Sequence, residues 1–127
     1  MLKYTTDYAN KQQIKGYKMM KYHNKKVYGF DSKKEKARFE QLQILQRIGE
    51  ISDLQKQVPF ELIPNQRHSE TGKVVERAVK YIADFTYRTK NGVFVVEDVK
   101  SPATRTKDYI IKRKLMLFIH KIRITEI

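Results

Sequence analysis

Apolar and polar residues are patterned over most of this chain, but not at its start. Residues 1–28 show no sustained period and are rich in Lys, Tyr, Asn and Gln, which predicts a basic, mobile arm. Residues 29–127 carry the pattern and are enough for one core, so they predict a single domain. Phe39, Leu42, Leu45 and Ile48 recur at helical spacing, which predicts a helix over residues 31–48, stopped by Gly49. Residues 51–54 read as a connection. Residues 57–63 alternate as a strand, and Pro59 marks it as an edge strand or the start of one. Residues 64–73 read as a loop. A long strand follows from residue 74 or 75 to 87, bent near 77–78, then a turn at Asn91-Gly92 and a strand over 93–100. Ser101-Pro102 breaks the pattern, Thr106 caps a helix over 107–120 with Ile111, Leu115 and Phe118 as its buried stripe, and residues 122–127 form a last strand. The predicted order is helix, three strands, helix, strand: an α/β fold with a mixed central sheet flanked by helices.

Charge changes this picture most. The 127 residues hold 27 Lys and Arg against 14 Asp and Glu, a net charge of +13. The excess lies at the two ends: residues 1–26 carry seven lysines and one acid, and residues 101–127 seven basic and two acidic residues. Lysines interleave with tyrosines in the arm, as on a surface that meets phosphates and bases, so a nucleic acid is the expected partner. A solubilising surface is the plainer explanation of the same charge. No apolar run approaches a membrane span, no signal-peptide core stands at the start, and cysteine is absent. These features predict a cytoplasmic protein with no membrane association.

The candidate chemistry sits in residues 81–100, YIADFTYRTKNGVFVVEDVK. Asp84 lies between Ala83 and Phe85 in one strand, Asp98 closes the next, and Lys100 follows two residues later. Acids are depleted in strands and costly to bury unpaired, so two in one hairpin suggest a shared task. Side chains alternate, which places Phe94, Val96, Asp98 and Lys100 on one face and Glu97 on the other. The turn decides whether Asp84 joins them. A two-residue loop at Asn91-Gly92 sets Phe85 against Asp98 and turns Asp84 away. A three-residue loop, Lys90-Asn91-Gly92 with Gly92 left-handed, pairs Thr89 with Val93 and sets Asp84 against Asp98. Facing carboxylates repel unless a cation lies between them, and a divalent metal with Lys100 beside it is the economical solution; a metal-free salt bridge to Lys100 is the alternative. Glu35 has two readings. Ser32-Lys33-Lys34-Glu35 has the form of a capping box, yet Glu35 also begins the apolar stripe of the first helix and so faces whatever that helix covers. The three histidines show no ligand spacing.

Asp84 followed by Asp98-Val-Lys100 resembles the PD-(D/E)XK nuclease superfamily. FDSKKEKARFEQLQILQRIGEISDLQKQVPFELIP, YIADFTY and VVEDVKS are similar, more closely, to a phage- and prophage-encoded family of small proteins within it, itself similar to archaeal-type Holliday-junction resolvases. The likeness spans about residues 20 to 127 and leaves the basic arm outside. Ala83 stands where the superfamily's name has proline, and the second acid is Asp.

The resemblance implies a restriction-endonuclease-like core and Mg²⁺-dependent hydrolysis of phosphodiester bonds, with Mn²⁺ able to substitute, on branched or recombination DNA. It places Glu35 as the carboxylate supplied by the first helix, and the host cell cytoplasm as the setting of a phage-encoded chain. The residue chemistry agrees. Asp84 and Asp98 can hold one or two hard cations, with Glu35 completing the shell, and Lys100 can orient a water or stabilise charge on the phosphate. Lys112, Arg113 and Lys114, with Lys25 and Lys26 in the arm, are the candidate DNA contacts. A homodimer would suit paired cuts at a junction. The alternative is a non-catalytic nucleic-acid-binding accessory protein of phage recombination or replication.

Overall fold

In the computed structural model residues 32–127 are described; the expected arm, with Lys25 and Lys26, lies outside them. The first helix, α1, spans Lys33–Arg47. Ser32 caps it, accepting a hydrogen bond from the Glu35 amide, and Gly49 ends it with φ +84°, a conformation that favours glycine. Leu42 is fully buried and Phe39 and Leu45 pack beside it, while Ile48, at the C-cap, is exposed.

β1 runs Ile51–Ile63, longer than expected. Residues 51–54 belong to it because a bulge absorbs their turn-like Ser-Asp: Asp53 has φ 55° and the pairing slips between Ser52 and Gln55. β2 (Gln66–Arg67) lies where a loop was expected, and β3 (Val74–Glu76) is the start of the expected long strand, which pairs with β2 as a small exposed ribbon apart from the principal sheet. Strands that bury nothing leave no alternation to read. β4 (Val79–Thr89) begins past the bend at 77–78, and β5 (Phe94–Asp98) returns beside it. The principal sheet has the order β1-β4-β5-β6, with β6 at Thr125–Glu126. β1 and β5 both run antiparallel to β4, and β6 runs parallel to β5. The sheet is therefore mixed, and β1, with Pro59, is an edge strand. A parallel pair needs a crossover, which is the second helix, α2 (Lys107–Leu115), capped by Thr106.

α2 continues as a π turn over Met116–His120 and stops at Lys121, whose φ is 59°. The expected stripe is displaced. Tyr109 and Met116 are buried, Leu115 is half-buried, and Ile111 and Phe118 are 57% and 74% exposed. An extra residue in the π turn carries later positions off the 3.6-residue period. Tyr109 also buries its ring while keeping its hydroxyl bonded to Glu126, a role that an apolar count does not register.

Two apolar clusters lie on the sheet. One joins Val58, Phe60, Leu62, Tyr81, Ala83 and Val96 to Tyr109 and Met116 of the α2 segment. The other joins Phe85, Tyr87 and Ile51 to Leu42 of α1. Tyr81, Ala83, Phe85 and Tyr87 alternate along β4 and should share one face, yet they divide between the clusters. β1 divides at the same level: Lys56 lies over the Phe39 ring of α1, and Val58 joins the α2 side. The ribbon thus reverses its faces at Gln57 and Asp84, where Gln57 has φ 54°. No described helix is long and apolar enough to cross a membrane.

Candidate functional site

The hairpin loop sets the site. Gly92 has φ +81°, the Gly92 amide donates to the Thr89 carbonyl at 2.9 Å, and the Thr89 amide to the Val93 carbonyl at 2.9 Å. This is the three-residue loop. The pairing that follows, Arg88 with Phe94 through Phe85 with Glu97, brings Asp84 abreast of Asp98 at the next step. The Asp98 carboxylate is near enough for its charge to act on Asp84.

Each is held from a different side. The Val99 amide donates to Asp84 Oδ2 at 2.8 Å, and Tyr81 Oη donates to Asp98 Oδ2 at 2.5 Å. Lys100 Nζ lies 3.2 Å from Asp98 Oδ1 and 3.9 Å from the centre of the Tyr109 ring, which fixes its long side chain. Gln57, abreast of Asp84 on β1, donates from Nε2 to Glu35 Oε1 at 3.1 Å and, over a long 3.5 Å, to Asp84 Oδ1. Glu35 is 3% exposed. It begins the buried stripe, as expected, and reaches the acids of the hairpin through Gln57. Its backbone amide donates to the Ser32 cap, but its carboxylate accepts from Gln57 instead of completing the reciprocal half of a capping box, so among the described residues the segment is capped by Ser32 alone.

The electrostatics follow from this crowding. Burial, then the charges of Glu35 and Asp98, raise the Asp84 pKa far above the usual aspartate range, against the Val99 hydrogen bond. Burial and the Asp98 charge push the Tyr81 phenol up as well, so Tyr81 stays a donor to Asp98. Asp84, Asp98, Lys100 and Gln57 open on a cleft of about 360 Å³, closed on its other side by Tyr109 and Lys112 of α2.

The expected DNA contacts separate. Lys112 lines the cleft. Arg113 Nη1 donates to Glu126 Oε2 at 3.0 Å, and with Lys114 it lines a different depression. Glu97 takes the opposite face from Asp98, as alternation requires. There it is 1% exposed and bonded to Arg38 through Nε at 2.8 Å and Nη2 at 2.6 Å, and to Tyr87 Oη. Gln57, Tyr81 and Tyr109 are site residues that sequence reasoning missed. Their approach depends on the β1–β4 register and on the α2 crossover, neither of which residue spacing reports.

Among the described residues no three Asp, Glu, His or Cys side chains form a ready-made cage for one ion. Two convergent carboxylates beside an open cleft are instead the pattern of Mg²⁺, which keeps several waters and takes substrate phosphate oxygens. A cation there would offset the burial and the repulsion that together raise Asp84, so the donor set fits.

A family model described as a protein of unknown function, DUF1064, matches residues 3–125, and the chain belongs to that family. The match takes in most of the basic N-terminal segment. No curated protein and no solved structure matches the chain.

Proposed function

We propose that this DUF1064 protein is a divalent-metal-dependent endonuclease that hydrolyses DNA phosphodiester bonds, acting on branched or recombining DNA. The observation that carries the reading is the register that sets Asp84 abreast of Asp98, with Lys100 on the same cleft. A passive binding surface has no use for a buried and a half-buried acid that repel each other beside a basic cleft wall.

Asp84 and Asp98 would hold Mg²⁺ or Mn²⁺, with Glu35 acting through Gln57. The ion, when bound, supplies Lewis acidity to a phosphoryl oxygen and acidifies a water. Lys100 stands where it can orient that water and meet the charge that grows on the phosphate. Tyr81 keeps Asp98 turned toward the cleft by holding its second oxygen. Lys112, on the opposite wall, can hold a phosphate of the bound strand. Water oxygen bonds to phosphorus, the phosphorus–oxygen bond to one sugar breaks, and the leaving oxygen takes a proton.

The core of α1, the β1-β4-β5-β6 sheet and the α2 crossover is read as restriction-endonuclease-like, and two copies would suit paired cuts in a host cell cytoplasm. The excess of positive charge favours DNA as the partner under either of two readings, the second being a non-catalytic binding protein of phage recombination or replication. Labelled duplex, single-stranded, flap and four-way-junction DNA, incubated with Mg²⁺, Mn²⁺ or chelator, separates them. Metal-dependent cleavage, absent in Asp98→Ala and Lys100→Ala with DNA binding retained, is the expected result. Salt-sensitive binding without cleavage of any substrate would leave the accessory reading.

A further inference from the structure

Gln57 stands out twice. Its φ of 54° is left-handed, a conformation that a β-strand residue with a side chain rarely adopts. Its amide lies between two carboxylates from different elements, Glu35 on α1 and Asp84 on β4. The two facts have one geometric origin. Lys56 pairs with Phe85 and Val58 with Ala83, so β1 stays in register with β4 on both sides of Gln57 while the faces of the ribbon reverse there. The inversion directs the Gln57 side chain into the cleft that Asp84, Asp98 and Lys100 share. Backbone outliers of this kind cluster at functional sites, where they re-aim a side chain.

We propose that Gln57 is a metal-site residue: its amide spaces Glu35 from Asp84, and its Oε1 joins Asp84 and Asp98 as an oxygen ligand of the divalent ion. This rests on the endonuclease reading above. An amide carbonyl is a hard, neutral donor of the type Mg²⁺ and Mn²⁺ accept. Turning the amide over exchanges Nε2 for Oε1 at the same point, so the group that bridges two anions by donating can face a cation by accepting. Adding a neutral ligand to two carboxylates completes an oxygen set without further like charge.

Glycine tolerates the left-handed backbone, so Gln57→Gly deletes the amide and keeps the inversion. Gln57→Glu keeps a side-chain oxygen at the same reach. The test is calorimetric titration of Mn²⁺ into the metal-free full chain for wild type, both variants and Asp98→Ala, with urea unfolding of each in chelator. The expected result is Mn²⁺ binding at least fivefold weaker in Gln57→Gly, with a single cooperative unfolding transition retained. Gln57→Glu should bind at least as tightly as wild type. A loss below fivefold in Gln57→Gly, or weakened binding in Gln57→Glu, would overturn the ligand role. If wild type and Gln57→Gly bind alike while Asp98→Ala does not bind, this inference fails and the endonuclease reading stands; if wild type takes up no Mn²⁺, both fail.

Discussion

Asp84 and Asp98 stand abreast on adjacent antiparallel strands because Thr89, five residues after the first, pairs with Val93, five before the second. The loop between them holds three residues and closes on Gly92 at φ +81°. Nothing lies within 4 Å of the point where a Cβ on Gly92 would sit, so a side chain there meets only backbone strain. Gly92→Ala should therefore destabilise by about 1–2 kcal/mol, the cost of a left-handed L-residue. Urea unfolding measures it. Deleting Lys90 leaves a two-residue loop that still sets Thr89 against Val93, so Asp84 should stay abreast of Asp98 and metal-dependent cleavage should survive in the deletion variant. Loss of cleavage from that variant while it remains folded would separate the activity from this register.

The catalytic assignments predict a particular split. Lys100→Ala should lower the single-turnover cleavage rate by about 10²–10³-fold, enough to leave no product in the substrate panel, as for loss of one preorganised group at a developing charge, with DNA affinity changed little. Asp98→Asn should lose both cleavage and Mn²⁺ binding. Single-turnover rates, a DNA-binding titration in chelator and a Mn²⁺ titration into metal-free protein read these quantities apart. A Lys100→Ala protein that cleaves at the wild-type rate would remove the lysine from the mechanism.

How much of this was legible in the residues themselves depends on how local each cause is. α1 was legible because Phe39, Leu42 and Leu45 repeat and Ser32 and Gly49 bracket them. Glu35 was legible as a member of that stripe. The Asn91-Gly92 hairpin was legible, but its register was not, since the same dipeptide serves a two- or a three-residue loop. Gln57 was invisible: no neighbour in Gln-Val-Pro-Phe announces a left-handed strand residue, and its approach to Glu35 and Asp84 joins three elements. The stripe of α2 was misplaced because a π turn and an amphipathic tyrosine both break the periodic count.

The raised Asp84 pKa makes stability depend on pH. In the unfolded chain the carboxyl titrates near the ordinary value of 3.8; in the folded protein burial, Glu35 of α1 and Asp98 of β5 keep it protonated to higher pH, against the Val99 amide, with Lys100, Tyr81 and Gln57 also facing the site. Between the two values the folded state holds the extra proton. Its stabilising contribution is complete below the unfolded value and is lost as pH rises through the folded one, with a limiting slope of about 1.4 kcal/mol per pH unit. In chelator, the urea midpoint should fall from about pH 5 to about pH 8, and Asp84→Asn should flatten the fall. Mn²⁺ should restore the midpoint of wild type at the alkaline end and leave that of Asp84→Asn unmoved. A wild-type midpoint that is level across this range would contradict the electrostatic account of the site.

Glu97, one residue before Asp98, is buried for a different reason, and its variants should show it. Arg38 of α1 grips both of its oxygens and Tyr87 donates to one of them, which ties the helix to the face of the sheet opposite the cleft. Arg38→Ala leaves a carboxylate that is 1% exposed without its cation, and should destabilise by about 3 kcal/mol, the low end for breaking a buried pair, since the Arg38 side chain is itself 22% exposed. Replacing Arg38 with Met and Glu97 with Leu together should recover most of that loss, because neither charge then remains to be desolvated. Mn²⁺ affinity, measured well below the unfolding midpoint, should stay within twofold of wild type in the double variant. A tenfold loss of affinity there would mean that the two faces of the sheet are coupled, and that Glu97 acts on the site through Asp98.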